Sequence, residues 1–154
     1  MKTRRIINIS VAALLVIALL WALCWFYVRG ATLRVLKAIP SDCEITVTAM
    51  YWDGTTDNRE EFVLSQEQAT ALLELLQSTD YWRDLSTTIT HNEPVTYEIF
   101  CVFDLDSQQE MVHISCLGGY ALHINSSTDK WNGKGFLRII NKTFLSQLES
   151  IFAS

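Results

Sequence analysis

Residues 97–125, YEIFCVFDLDSQQEMVHISCLGGYALHIN, alternate apolar and polar side chains through two turn signals. Tyr97, Ile99, Cys101 and Phe103 share one face of a first strand over 97–105, and Val112, Ile114 and Cys116 share one face of a second over 110–117. A period of two marks strands with one buried face. The polar run 106–109 turns the first strand into the second. Gly118-Gly119 then supplies a two-residue turn, with φ > 0 accessible at both positions, into a third strand over 120–125. The stretch predicts an antiparallel meander.

Working outward, residues 44–52 alternate with Ile45, Val47, Ala49 and Tyr51 on one face, and Asp53-Gly54 turns them into a returning strand over 60–64. Ser65 followed by Gln68 has the form of a capping box, and Ala69, Leu72, Leu73 and Leu76 line one helical stripe that should stop near 78–80. Residues 81–94 read as an irregular connection, 136–140 as a further strand, and Asn141 as the cap of a helix whose Phe144, Leu145, Leu148, Ile151 and Phe152 share a face. The fold class is therefore α+β: one antiparallel-sheet domain with two amphipathic helices packed on one face.

Ahead of this domain, residues 6–28 carry no charge and only Asn8 and Ser10 as notable polar groups. As a helix they match a hydrocarbon core of about 30 Å. Trp21, Trp25, Phe26 and Tyr27 crowd one end, where amphipathic rings suit the headgroup boundary. A cleaved signal would have a shorter apolar run followed by small residues, and a lipoprotein signal a small residue before its cysteine. Here the run ends in Trp25-Phe26-Tyr27-Val28-Arg29, and Leu23 precedes Cys24. The predicted organisation is a basic N-terminus (1–5), a transmembrane helix (6–28), a stalk (29–40) ended by Pro40, and one small α+β domain (41–154).

Charge is unevenly divided. Beyond residue 30 there are eight basic against 17 acidic residues, a net −9. Phosphate binding needs clustered Lys and Arg, so no nucleic-acid partner is expected. Lys2, Arg4 and Arg5 on one side of the apolar run are nearly matched by Arg29, Arg34 and Lys37 on the other. A short basic start before a first apolar helix places the N-terminus in the cytoplasm and the acidic domain outside.

Three constellations bear on chemistry. With residue 107 paired to 110, Cys101 faces Cys116, and a two-residue Gly-Gly turn adds His123 to that face. Core packing of small thiols, a Cys101–Cys116 disulfide suited to an oxidising exterior, and a zinc site that also uses Cys43 compete here. The short Cys-x-x-Cys spacing of structural zinc is absent, and neither a metal nor another cofactor is expected. The same register sets Asp104 across from His113 with Ser115 two residues along, the residue types of a hydrolase triad. Neighbours two apart on a strand stand too far apart for a serine to bond its base. Finally, Tyr81, Trp82 and Trp131 form a candidate aromatic interaction surface.

Other signals are weaker. His91 is a lone loop histidine; residues 52–58 offer oxygen ligands without EF-hand spacing; residues 130–135 contain glycines and lysines without a Walker pattern. Asn125-Ser126-Ser127 and Asn141-Lys142-Thr143 match the glycosylation acceptor pattern. The layout of basic start, apolar helix and compact domain closed by an amphipathic helix loosely resembles small uncharacterised membrane-anchored proteins of Gram-positive bacteria. That resemblance carries no diagnostic motif and implies no activity. The expected function is a membrane-anchored, extracytoplasmic, non-catalytic binding or protein-interaction domain. Its partners are the bilayer, through residues 6–28, and an unidentified protein or envelope component; the alternative is a small anchored hydrolase.

Overall fold

The computed structural model describes residues 2–52, 57–83, 95–105, 107–127 and 136–154. In chain order the elements are α1 (Lys2–Ala38), β1 (Glu44–Trp52), β2 (Asp57–Val63), α2 (Gln66–Ser78), β3 (Tyr81–Arg83), β4 (Val95–Leu105), β5 (Gln108–Leu117), β6 (Ala121–Ser126), β7 (Leu137–Ile139) and α3 (Phe144–Phe152). All seven strands join one antiparallel sheet in the order β2-β1-β4-β5-β6-β7-β3.

Alternation in the sequence becomes alternation in burial. Ile45, Val47 and Ala49 of β1, Ile99 and Cys101 of β4, Ile114 and Cys116 of β5, and Leu122 and Ile124 of β6 are buried on one face. Against them pack Leu72, Leu73 and Leu76 of α2 and Phe144 and Leu148 of α3. Each such aliphatic side chain contributes about 1.5–3 kcal/mol of transfer free energy. The start of α2 follows from its capping box: Ser65 Oγ accepts from the Gln68 amide at 3.2 Å while Gln68 Oε1 accepts from the Ser65 amide at 2.9 Å. This arrangement satisfies two otherwise orphaned donors. At α3, Asn141 Oδ1 accepts from the Thr143 amide at 3.0 Å, so it turns the chain into the helix from two residues before the N-cap, Thr143.

Helix α2 carries the chain from β2, at one edge of the sheet, to β3 at the other. The β2 edge exposes Arg59, Glu60 and Glu61, charges that discourage further strand pairing. The β3 edge lies against α1. Along α1 the exposure changes sharply: Leu14 is 66% exposed and Phe26 70%, whereas Ala31, Thr32, Val35 and Leu36 are buried. The folded part thus draws Val35, Leu36 and Ile39 of its core from the segment expected to be a stalk.

Two registers differ from expectation. In the β4–β5 hairpin Leu105 pairs with Gln108 and Cys101 with Val112, which leaves a two-residue loop in which Ser107 adopts φ 68°. The displacement from the expected pairing is four residues, an even number, so the faces stay as predicted. Between β5 and β6, Leu117 pairs with Ala121 across a three-residue loop of Gly118 (φ 54°), Gly119 (φ 72°) and Tyr120. A one-residue displacement reverses faces, so β6 buries Leu122 and Ile124 and turns His123 to the opposite side. Gly119 also lies so close to α3 that an added Cβ would stand 2.4 Å from Leu145 Cβ.

Candidate functional site

The sulfur cluster does not assemble as expected. Cys116 pairs with Tyr97, four residues along β4 from Cys101. That offset is roughly 13 Å at the rise of a strand, beyond the Cα separation of up to about 7 Å that a disulfide bridges. The Cys101–Cys116 bridge is therefore excluded by register, and His123 sits on the other face. The neighbour of Cys101 is instead Cys43. Residue 43 lies two before Ile45, the partner of Cys101, and the two thiols are hydrogen-bonded. This bond holds the Cys43 thiol below its ordinary value and, with burial, pushes Cys101 well above it. Burial, opposed by a hydrogen bond to the Gly119 backbone and helped by the Glu98 charge, raises Cys116 to about 12. Among the described residues no group of three or more His, Cys, Asp or Glu side chains is placed to hold a metal ion.

The triad-like set is likewise taken apart. Asp104 pairs with Gln109, and His113 with Phe100, whose ring stacks on the imidazole at 4.6 Å between centroids. The carboxylate that reaches His113 is Glu98, across from Ser115. Its Oε2 lies 2.5 Å from His113 Nε2 and accepts from Ser115 Oγ at 2.5 Å. Nucleophile activation needs the histidine between serine and acid. Here the acid stands in the middle, a half-buried carboxylate satisfied by two donors. Glu98 was legible only with the correct register.

Of the three aromatic candidates, Tyr81 is fully buried and its hydroxyl donates to the Leu76 carbonyl at 2.5 Å. It is a core residue and not part of a surface, and burial holds its phenol well above the ordinary range. Trp82, the next residue along the strand, points outward and packs on Trp21 and Trp25 of α1, with centroids 4.7 and 5.2 Å apart. Trp131, His91, the Asp53-Gly54 turn and the 130–135 segment lie outside the described residues.

One concave feature gathers chemically distinct side chains from several elements, and no single motif announces it. Beside the C-terminal end of α3, a groove of about 560 Å³ opens against the β2-β1-β4 side of the sheet. Its walls include Tyr51 of β1, Glu60 and Phe62 of β2, Tyr97 of β4, and Glu149 and Phe152 of α3. Register explains the gathering: Val47 pairs with both Phe62 and Ile99, and Ala49 with both Glu60 and Tyr97, so these side chains share the core face at its open end. Phe152 is the keystone, edge-on to Phe62 (5.4 Å) and to Tyr97 (5.1 Å). Tyr97 is 4% exposed, and its phenol is raised chiefly by burial and further by Tyr51, with which it is hydrogen-bonded, and by the Glu149 charge. The site thus offers aromatic surface beside two carboxylates, an environment that favours a cation over an anion.

Comparison of the chain with protein-family models, curated proteins and solved structures finds no match.

Proposed function

We propose that this chain is a membrane-anchored, non-catalytic binding domain held outside the cytoplasm, and that its groove takes a lysine- or arginine-bearing segment of a partner protein. The observation that carries this reading is the groove itself, in which Glu60 and Glu149 stand among Tyr51, Phe62, Tyr97 and Phe152. A cation over an aromatic face gains about 0.5–2 kcal/mol, and exposed carboxylates add a smaller, salt-screened attraction. The net −9 beyond residue 30 adds long-range steering toward a basic partner.

The anchor reading rests on α1, which is long and apolar enough to cross a membrane: its most apolar 18-residue window has mean hydropathy 2.5, and none of that window is buried among the described residues. A continuous apolar helical surface of this length suits lipid. Lys2, Arg4 and Arg5 form a short basic start before the apolar run, which supports a cytoplasmic N-terminus even though Arg29, Arg34 and Lys37 follow it.

The test is binding of Lys/Arg-rich and Asp/Glu-rich peptides of equal length to the full chain in nanodiscs, by calorimetry. Basic peptides should bind, more weakly as salt rises, and Glu149→Gln, an exposed position, should weaken them several-fold. Equal binding of both peptide types, or no effect of Glu149→Gln and Phe152→Ala, would refute the assignment.

A further inference from the structure

One stripe of α1 fixes the folded part to the apolar helix. Trp21, Trp25, Arg29, Thr32 and Leu36 recur at spacings of three and four and so lie along one face. Trp82 packs on the first two, Arg29 is ion-paired with Asp80, and Thr32 and Leu36 are fully buried. Tyr81 points into the core, and the alternation of a strand leaves Trp82 on the outer side of β3, half-buried and against the helix.

The depth of this contact follows from the geometry of α1. A hydrocarbon core of about 30 Å takes about 20 helical residues. Counted from the first apolar residue, Ile6, it ends at Trp25, with Trp21 about 6 Å inside it. A ring that touches both lies at the level of the glycerol and upper acyl carbons. Indole suits that layer, with an apolar body and one N–H to satisfy. Arg29, one turn above Trp25, falls among the headgroups, where its pairing with Asp80 sets how deep the domain is drawn.

We propose that Trp82 is a lipid contact of the folded part: β3 rests on the bilayer, with its indole in the interfacial layer beside Trp21 and Trp25. This rests on the anchor reading above. The domain then lies on the membrane surface instead of standing off it on a stalk, and its contact is with the phospholipid interface, not with a protein.

Single-tryptophan forms of the full chain, retaining Trp82, Trp25 or Trp52 with phenylalanine at the other positions, would be reconstituted in phosphatidylcholine/phosphatidylglycerol vesicles that contain lipids brominated on the upper acyl chain. The expected result is strong quenching of Trp82 and Trp25 and little of Trp52. Quenching of Trp25 without Trp82 would overturn the seating and leave the anchor standing; quenching of neither would overturn both. Since the substitutions could disturb packing, the unmodified protein would also be irradiated with a phospholipid bearing an acyl-chain diazirine. Adducts on residues 81–83 as well as α1 support the seating, and adducts confined to α1 refute it.

Discussion

Leu36 lies in the expected stalk by sequence and in the domain core by structure, and replacing it tests which description governs stability. Its side chain is fully buried, in one cluster with residues of α2 and the sheet. Leu36→Ala removes three heavy atoms from that cluster and leaves a cavity, at a cost of about 2–5 kcal/mol by analogy with other buried leucines. For a domain of this size roughly 4 °C is lost per kcal/mol, so a central cost of about 3 kcal/mol lowers the melting temperature by roughly 12 °C. Against a total stability of about 5–15 kcal/mol that loss is large. The assay is urea or thermal unfolding of the reconstituted full chain, followed by proteolysis of the domain, with exposed Arg34→Ala as the control on the same helix. If Leu36→Ala shifts the midpoint no more than Arg34→Ala, α1 is a tether and its packing in the core is refuted.

Four further outcomes follow. Thr32 Oγ1 is buried without a hydrogen-bond partner among the described residues, so Thr32→Val, nearly the same shape, should stabilise by about 1 kcal/mol; a loss of stability in urea would show that the hydroxyl is satisfied. Gly119→Ala should cost about 2–3 kcal/mol, because φ 72° strains an L side chain and the new Cβ meets Leu145; an unchanged midpoint would place α3 further away. Cys116 is raised to about 12, while an unfolded thiol titrates near about 8.5, so its contribution is complete below about pH 8.5 and is lost as pH rises toward 12. Cys116→Ala should accordingly lose less stability than the parent between pH 8 and 10, and equal losses would contradict the burial. Mild oxidation with diamide should join Cys43 to Cys101, read by peptide mass mapping, and a Cys101–Cys116 peptide would refute the β4–β5 register.

The elements were more legible than their partnerships. Ile45, Val47, Ile99, Cys101, Ile114 and Cys116 declare a buried face through period two alone, and Ser65 with Gln68 declares the start of α2, because each signal is local. Turn geometry decides which strand residues meet, and here the local signals misled. An Asp-Ser loop lacks the glycine or asparagine usual at φ > 0, yet Ser107 takes φ 68° and closes the β4–β5 hairpin two residues earlier than the polar run suggests. Gly118-Gly119 looked complete as a turn, but Tyr120 joins the loop and β6 reverses its faces. The sites depended on those pairings, so Asp104 lost His113 to Glu98's reach, and Cys101 exchanged Cys116 for Cys43. The groove was illegible for another reason. Its side chains come from β1, β2, β4 and the end of α3, which nothing short of the assembled sheet brings together.

The unbroken passage of α1 from its exposed apolar surface into the core has a mechanical consequence. A flexible tether would uncouple the domain from the apolar helix, but here Trp82, Asp80 and the core around Leu36 hold three successive levels of one helix. With α1 spanning a membrane as proposed, a rotation of the helix about its axis would swing the whole sheet, and a tilt would change the height of the groove. Two such chains associating through their membrane segments would hold their grooves at a fixed angle to each other. On the anchor reading the helix would work as a drive shaft, turning the sheet as a unit with the apolar segment.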